Sequence, residues 1–89
     1  MRRSPTTTAR AVPRLVVGAK SVTRALGAGG VRRVYLAVDA PVETTQPLRA
    51  LAAELRLAVL EIDSAAELGR RCGIDRPVTA IAELRTPAG

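Results

Sequence analysis

Leu15-Val16-Val17-Gly18-Ala19-Lys20-Ser21-Val22-Thr23-Arg24-Ala25-Leu26 decides the reading of this chain. The three apolar residues predict a short strand, Gly18 a turn, and the residues from Ala19 a helix running to Ala28. On a helix advancing about 100° per residue, Val22, Ala25, Leu26 and Gly29 share one arc. Lys20, Ser21, Arg24 and Ala28 fall on the opposite side. The apolar arc can pack on a sheet, which turns Lys20 and Arg24 to solvent near the helix start. Exposed amides at a helix N-terminus, with two cations one turn apart, suit an anionic, hydrogen-bonding ligand. The plainer reading of the same spacing is an ordinary solvated helix face. Gly18 stands without the glycine patterns of a Walker A loop or a dinucleotide-binding turn.

The rest of the chain continues the alternation of strand and helix. Val34–Val38 is a continuous apolar run, as in a strand covered on both faces, and Asp39-Ala40-Pro41 ends it. Leu48, Leu51, Ala52 and Leu55 recur at helical spacing, with Pro47 in the first turn after a Thr44 or Thr45 cap. Leu57–Ile62 reads as a third strand. Ser64-Ala65-Ala66-Glu67 has the form of a capping box, and the helix it opens stops at Gly73. Val78–Leu84 reads as the last strand. Alternation throughout implies an α/β sandwich around a largely buried central sheet. At 89 residues the chain makes one small domain, expected over residues 9–85, with a helical turn at 9–12. Residues 1–8 are expected as a disordered basic tail and 86–89 as a short tail.

Charge narrows the partner. The net charge is +6, and residues 1–38 hold eight basic side chains and no acid. Residues 39–89 hold six arginines and eight acids. This asymmetry points to a polyanion, with nucleic acid ahead of an acidic membrane surface; a merely basic protein is the bland alternative. Tyr35 is the sole aromatic residue and sits in a strand of buried type. Modes that stack bases on exposed aromatics are therefore disfavoured, and a helix end reading base edges remains. Ordinary A-form RNA is too narrow in its major groove for that, so a distorted RNA is expected.

Other chemistries lack their agents. There is no histidine, and no carboxylates are paired at evident catalytic spacing, so no catalytic role is expected. Cys72 stands alone, which excludes an intrachain disulfide and a cysteine metal site and fits a reducing, cytoplasmic setting. No metal or cofactor is expected. No apolar run nears the roughly 18–20 residues needed to cross a bilayer. Met1–Thr8 has some look of a transit or twin-arginine signal, but Arg10, Pro13 and Arg14 break any apolar segment after it. Asp39 reads as a turn or cap residue and Cys72 as a small core residue. Gly69 reads as a site of close packing, and Arg32-Arg33 as a solvated turn or a backbone contact.

Three of these motifs, in this order and spacing, resemble the ribosomal protein L-seven-Ae / L-thirty-e family. Gly18–Leu26 is similar to its signature helix start, Ala37-Val38-Asp39-Ala40 to its second-strand ending, and Glu67-Leu68-Gly69-Arg70-Arg71-Cys72-Gly73-Ile74 to its Leu-Gly-x-x-x-Gly helix. The likeness runs from about Leu15 to Leu84 and is nearest to the small stand-alone bacterial members. It implies a three-layer α/β/α sandwich with a mixed four-stranded sheet. It also implies binding of kink-turn RNA, in which a sharp bend beside tandem sheared G·A pairs opens the groove. By position, Gly18 brings backbone close to the RNA, and Ala19 and Ser21 belong to the same RNA-binding set. Lys20 stands where the family has an Asn or Lys on a guanine edge, and Arg24 where its Lys engages guanine or phosphate. Ile74, Asp75, Arg76, Pro77 and Val78 match the second RNA loop, which packs on a flipped-out nucleotide. Three positions depart from the pattern. Ser21 replaces a usual Glu or Gln and reaches less far, Ala19 replaces a Thr or Ser, and Arg76 replaces an apolar residue and shifts that loop toward charge. The implied partner is RNA, ribosomal or regulatory, met by a monomer. The same scaffold used as a protein-interaction domain without RNA selectivity is the alternative.

Overall fold

A computed structural model of the chain describes residues 14–85. The expectations for residues 1–8, 9–12 and 86–89 lie outside the described residues. The elements are β1 (Leu15–Val17), α1 (Ala19–Ala28), β2 (Val31–Ala37), α2 (Val42–Glu54), β3 (Ala58–Ile62), α3 (Ala65–Arg71) and β4 (Ala80–Leu84). The strands form one sheet in the order β1-β4-β2-β3. β4 is antiparallel to β1 and β2, and β3 is parallel to β2, so the sheet is mixed as expected.

Strand alternation sorts the apolar residues into two layers. Val34 and Leu36 of β2 and Ala80 and Ala82 of β4 pack with Val22 and Leu26 of α1 and Leu48 and Ala52 of α2. On the other face Ala37, Ile62 and Ile81 pack with Leu68 of α3 and with Val78. The result is helices on both sides of a sheet, the α/β/α sandwich. Leu26, Leu36, Leu48 and Leu68 are the largest fully buried side chains, and truncating any one to alanine costs about 2–5 kcal/mol.

Several boundaries differ from the sequence reading. α2 begins at Val42 with Pro41 as its N-cap, not after Thr44 or Thr45. Thr45 is buried, and its Oγ1 reaches the Pro41 carbonyl at 3.5 Å. Pro47 therefore lies inside the helix and leaves the Glu43 carbonyl without its usual helical donor. Val38 lies past the end of β2 and is 57% exposed, because the strand runs from Val31 to Ala37 instead. β3 is an edge strand with Leu60 exposed, and β4 starts at Ala80.

The helix signals behave as the residues suggest. Ser64 caps α3 by accepting a hydrogen bond from the Glu67 amide at 3.0 Å. Asp39 Oδ1 accepts a second one from the Ala65 amide at 2.8 Å, tying the turn after β2 to the start of α3. The half-buried Cys72 thiol lies 3.5 Å and 3.4 Å from the Leu68 and Gly69 carbonyls, as a small residue closing the helix.

Candidate nucleic-acid interface

The first part of the site is the step from β1 into α1. Gly18 adopts φ 101° and ψ 146°, a conformation that side chains disfavour, and so turns the chain abruptly off the sheet. Its amide donates to the Ala80 carbonyl at 2.9 Å, and its carbonyl accepts from Val22 at 2.8 Å. As N-cap it has no side chain to offer the first-turn amides, and no acid stands in that turn. The helix start thus presents partial positive charge with nothing of its own to absorb it. Val22 and Leu26 are buried as the apolar arc required, while Lys20 and Arg24 are exposed. Gly18, Ala19 and Ser21 are half-buried, and Ala19 packs against the core beneath the tip.

The second part is the loop from α3 to β4. It is drawn tightly onto α3: the Ile74 amide donates to the Gly69 carbonyl at 2.9 Å and the Val78 amide to the Ala65 carbonyl at 3.0 Å. Gly69 permits this approach, since a Cβ there would meet the Arg76 carbonyl oxygen at 2.0 Å. Asp75, Arg76 and Pro77 are exposed, and Ile74 is half-buried. Val78 is only 4% exposed and belongs to the core, so it anchors the loop and offers little surface. Ile74, Asp75, Arg76 and Pro77 line a cleft of about 200 Å³ with Ala66 and Arg70.

These two parts share one end of the sheet. Val17 pairs with Ile81, and the Gly18 to Ala80 hydrogen bond joins the helix tip to the residue where the second loop enters β4. The loop also accepts, through the Thr79 carbonyl, the Ala37 amide at 3.0 Å, which fixes it to the end of β2.

The described cations divide into paired and unpaired, and Lys20, Arg24 and Arg76 share the unpaired class with Arg14, Arg56 and Arg85. Arg32, Arg33, Arg49, Arg70 and Arg71 each sit within 4.0 Å of a glutamate. Among the described residues, Lys20, Arg24 and Arg76 have no such partner. Glu67 is held below the usual carboxylate range, first by its hydrogen bond from Arg70 and then by Arg71, so Arg70 enters the cleft paired to an acid that it shares with Arg71. Arg70 and Ala66 were not legible as site residues, because only the tight return of the loop onto α3 brings them to it. Among the described residues no group of His, Cys, Asp or Glu is gathered to hold a metal, and no helix is long and apolar enough to cross a membrane.

An α/β/α sandwich around a mixed four-stranded sheet is the fold expected from the three motifs. The model of the ribosomal protein L7Ae/L30e/S12e/Gadd45 family matches residues 3–87, and the chain belongs to that family. It is 35% identical over 72 residues to the RNA-binding protein TTE2299 of Caldanaerobacter subterraneus, which covers 81% of this chain and 88% of that one. The RNA-binding protein YbxF of Geobacillus stearothermophilus matches with the same identity and coverage. The fold is similar to that of the Giardia lamblia 15.5kD RNA binding protein, with a TM-score of 0.76 and 23% identity. That likeness covers 81% of this chain and 61% of the other.

Proposed function

We propose that this protein binds RNA with the end of the sheet where the α1 tip and the α3–β4 loop meet, and that it selects kink-turns. The observation that supports this reading is the hydrogen bond from Gly18 to Ala80, which joins the uncapped helix start, with Lys20 and Arg24 unpaired, to the strand that the loop of Asp75, Arg76 and Pro77 enters. Lys20 donates to a guanine edge in the opened groove. Arg24, one turn on, engages guanine or phosphate, with the fork of donors that suits either. The Gly18 and Ala19 backbone approaches the RNA, and Ser21 adds a short hydroxyl. Ile74 and Pro77 offer the apolar contact to a flipped-out nucleotide, and Arg76 adds charge there. The names of the two bacterial relatives support an RNA partner.

The role is that of a non-catalytic, monomeric, cytoplasmic module on a ribosomal or regulatory RNA. Lys20→Ala with Arg24→Ala is expected to weaken kink-turn binding about 100-fold or more, given charge-assisted contacts of about 1.5–3 kcal/mol each. Both side chains are exposed, so the melting temperature is expected to stay within a few degrees. Undiminished affinity in a folded double variant refutes this site.

A further inference from the structure

We propose that the opposite end of the sheet is a second phosphate-binding surface, which holds an RNA backbone segment separate from the one at the α1 tip. Each of the four strands carries an exposed arginine at this end. Arg14 enters β1, Arg85 leaves β4, Arg32 lies in β2, and Arg56 precedes β3. Backbone pairing sets them at nearly one level. The Leu84 amide donates to the Arg14 carbonyl at 2.8 Å, and the Arg85 amide to the Gly30 carbonyl at 2.8 Å. Leu84 is paired with Val31, and Arg33 with Ala58, two residues beyond Arg56. Sheet order makes the row Arg14, Arg85, Arg32, Arg56. At about 4.8 Å per strand it spans about 14 Å.

Two departures from regular backbone serve this row. The pairing of β2 with β4 shifts between Val31 and Arg33, so Arg32 is an extra, bulged residue. The bulge lets consecutive arginines approach one acid: Arg32 and Arg33 lie 4.0 Å and 3.6 Å from the Glu83 carboxylate. One nearly buried carboxylate under two guanidiniums leaves excess positive charge, and the Arg32 side chain remains 57% exposed. Arg56, at φ 59°, is the one non-glycine residue in the left-handed region among those described. Glycine usually takes that position after a helix, and a larger residue there costs about 1–2 kcal/mol. Strain of this kind concentrates at functional positions.

The acids at this end are Glu83, already engaged, and Glu54, the last residue of α2. Among the described residues Arg14, Arg56 and Arg85 have no acidic partner. All four cations are arginines, whose planar forks match phosphate oxygens. Four residues along β1 take the chain from Arg14 to Gly18, about 13 Å of extended strand, so the row and the α1 tip meet different phosphates of an RNA. The proposal takes only the class of partner from the reading above.

A plain A-form RNA duplex without a kink is the probe, titrated at several salt concentrations. The triple variant Arg14→Gln, Arg32→Gln, Arg85→Gln keeps Arg33 on Glu83 and alters only exposed side chains. It is expected to bind the duplex at least about tenfold more weakly and to lower the log–log salt slope by about two. Lys20→Ala with Arg24→Ala should retain most duplex binding, so failure of kink-turn selectivity and failure of this surface are told apart. Arg56→Gly should relieve strain, raising the melting temperature while weakening duplex binding. Undiminished duplex binding in both the triple and the Arg56 variants overturns the proposal. So does tighter binding to phosphatidylserine vesicles than to duplex that the triple variant abolishes, which makes the surface a membrane contact instead.

Discussion

A Cβ placed on Gly69 would lie 2.0 Å from the Arg76 carbonyl oxygen and 3.3 Å from that of Ile74. The obstacle is backbone, not the end of a flexible side chain, so the α3–β4 loop must move to admit any larger residue. Gly69→Ala is expected to lower stability by about 1–3 kcal/mol and to displace Asp75, Arg76 and Pro77 from the Gly18 tip. Urea unfolding checks the first effect. Weaker RNA binding by the protein at a denaturant-free temperature where it is still folded checks the second.

Glu83 is 9% exposed and accepts a hydrogen bond from the Tyr35 hydroxyl at 2.8 Å. Tyr35→Phe removes that donor and is expected to cost about 1–2 kcal/mol, measured by the denaturation midpoint. Burial, and then the hydrogen bond to Glu83, hold the Tyr35 hydroxyl above its usual range. The neutral hydroxyl is thus favoured in the folded state. Its contribution is complete below the ordinary tyrosine value of about 10 and is lost as pH rises through the folded value. Wild-type stability should therefore fall above that pH by more than that of Tyr35→Phe.

Glu61 on the edge strand β3 is hydrogen-bonded by Arg49 of α2, which holds its carboxyl below the ordinary value. The sign is opposite to that for Tyr35. The stabilisation is present above the ordinary glutamate range and is lost as pH falls through the folded value. Because the Glu61 side chain is 48% exposed, the pair contributes only about 0.2–1 kcal/mol. Glu61→Gln is expected to be less stable than wild type at neutral pH by that amount. The difference should vanish once Glu61 is protonated, as measured by urea unfolding across acid pH.

Much of this molecule is legible from its residues, and the failures have physical causes. Gly18, with an apolar strand before it and a 3.6-residue apolar period after it, leaves one reasonable local structure, and the Ser64 cap is equally plain. The start of α2 was hidden because Val42 is 67% exposed and Glu43 and Thr44 show no apolar face, which made Pro47 look like a first-turn residue. Val78 falls both at the start of the last apolar run and in the stretch that resembles the RNA loop, and nothing local distinguishes a loop anchor from a loop contact; its burial comes from packing with Leu68 of α3 and Ile81 of β4. The arginine row is invisible in sequence, since residues 14, 32, 56 and 85 become neighbours only through the strand order and the bulge at Arg32.

The affinity ratio between a kink-turn RNA and the same RNA with its sheared G·A pairs replaced by Watson–Crick pairs probes the central claim most directly. A preference of at least about tenfold for the kink-turn, or about 1.4 kcal/mol, is the expected result, with the preference erased by Lys20→Ala plus Arg24→Ala. Equal affinity of the folded wild-type protein for the two RNAs contradicts it.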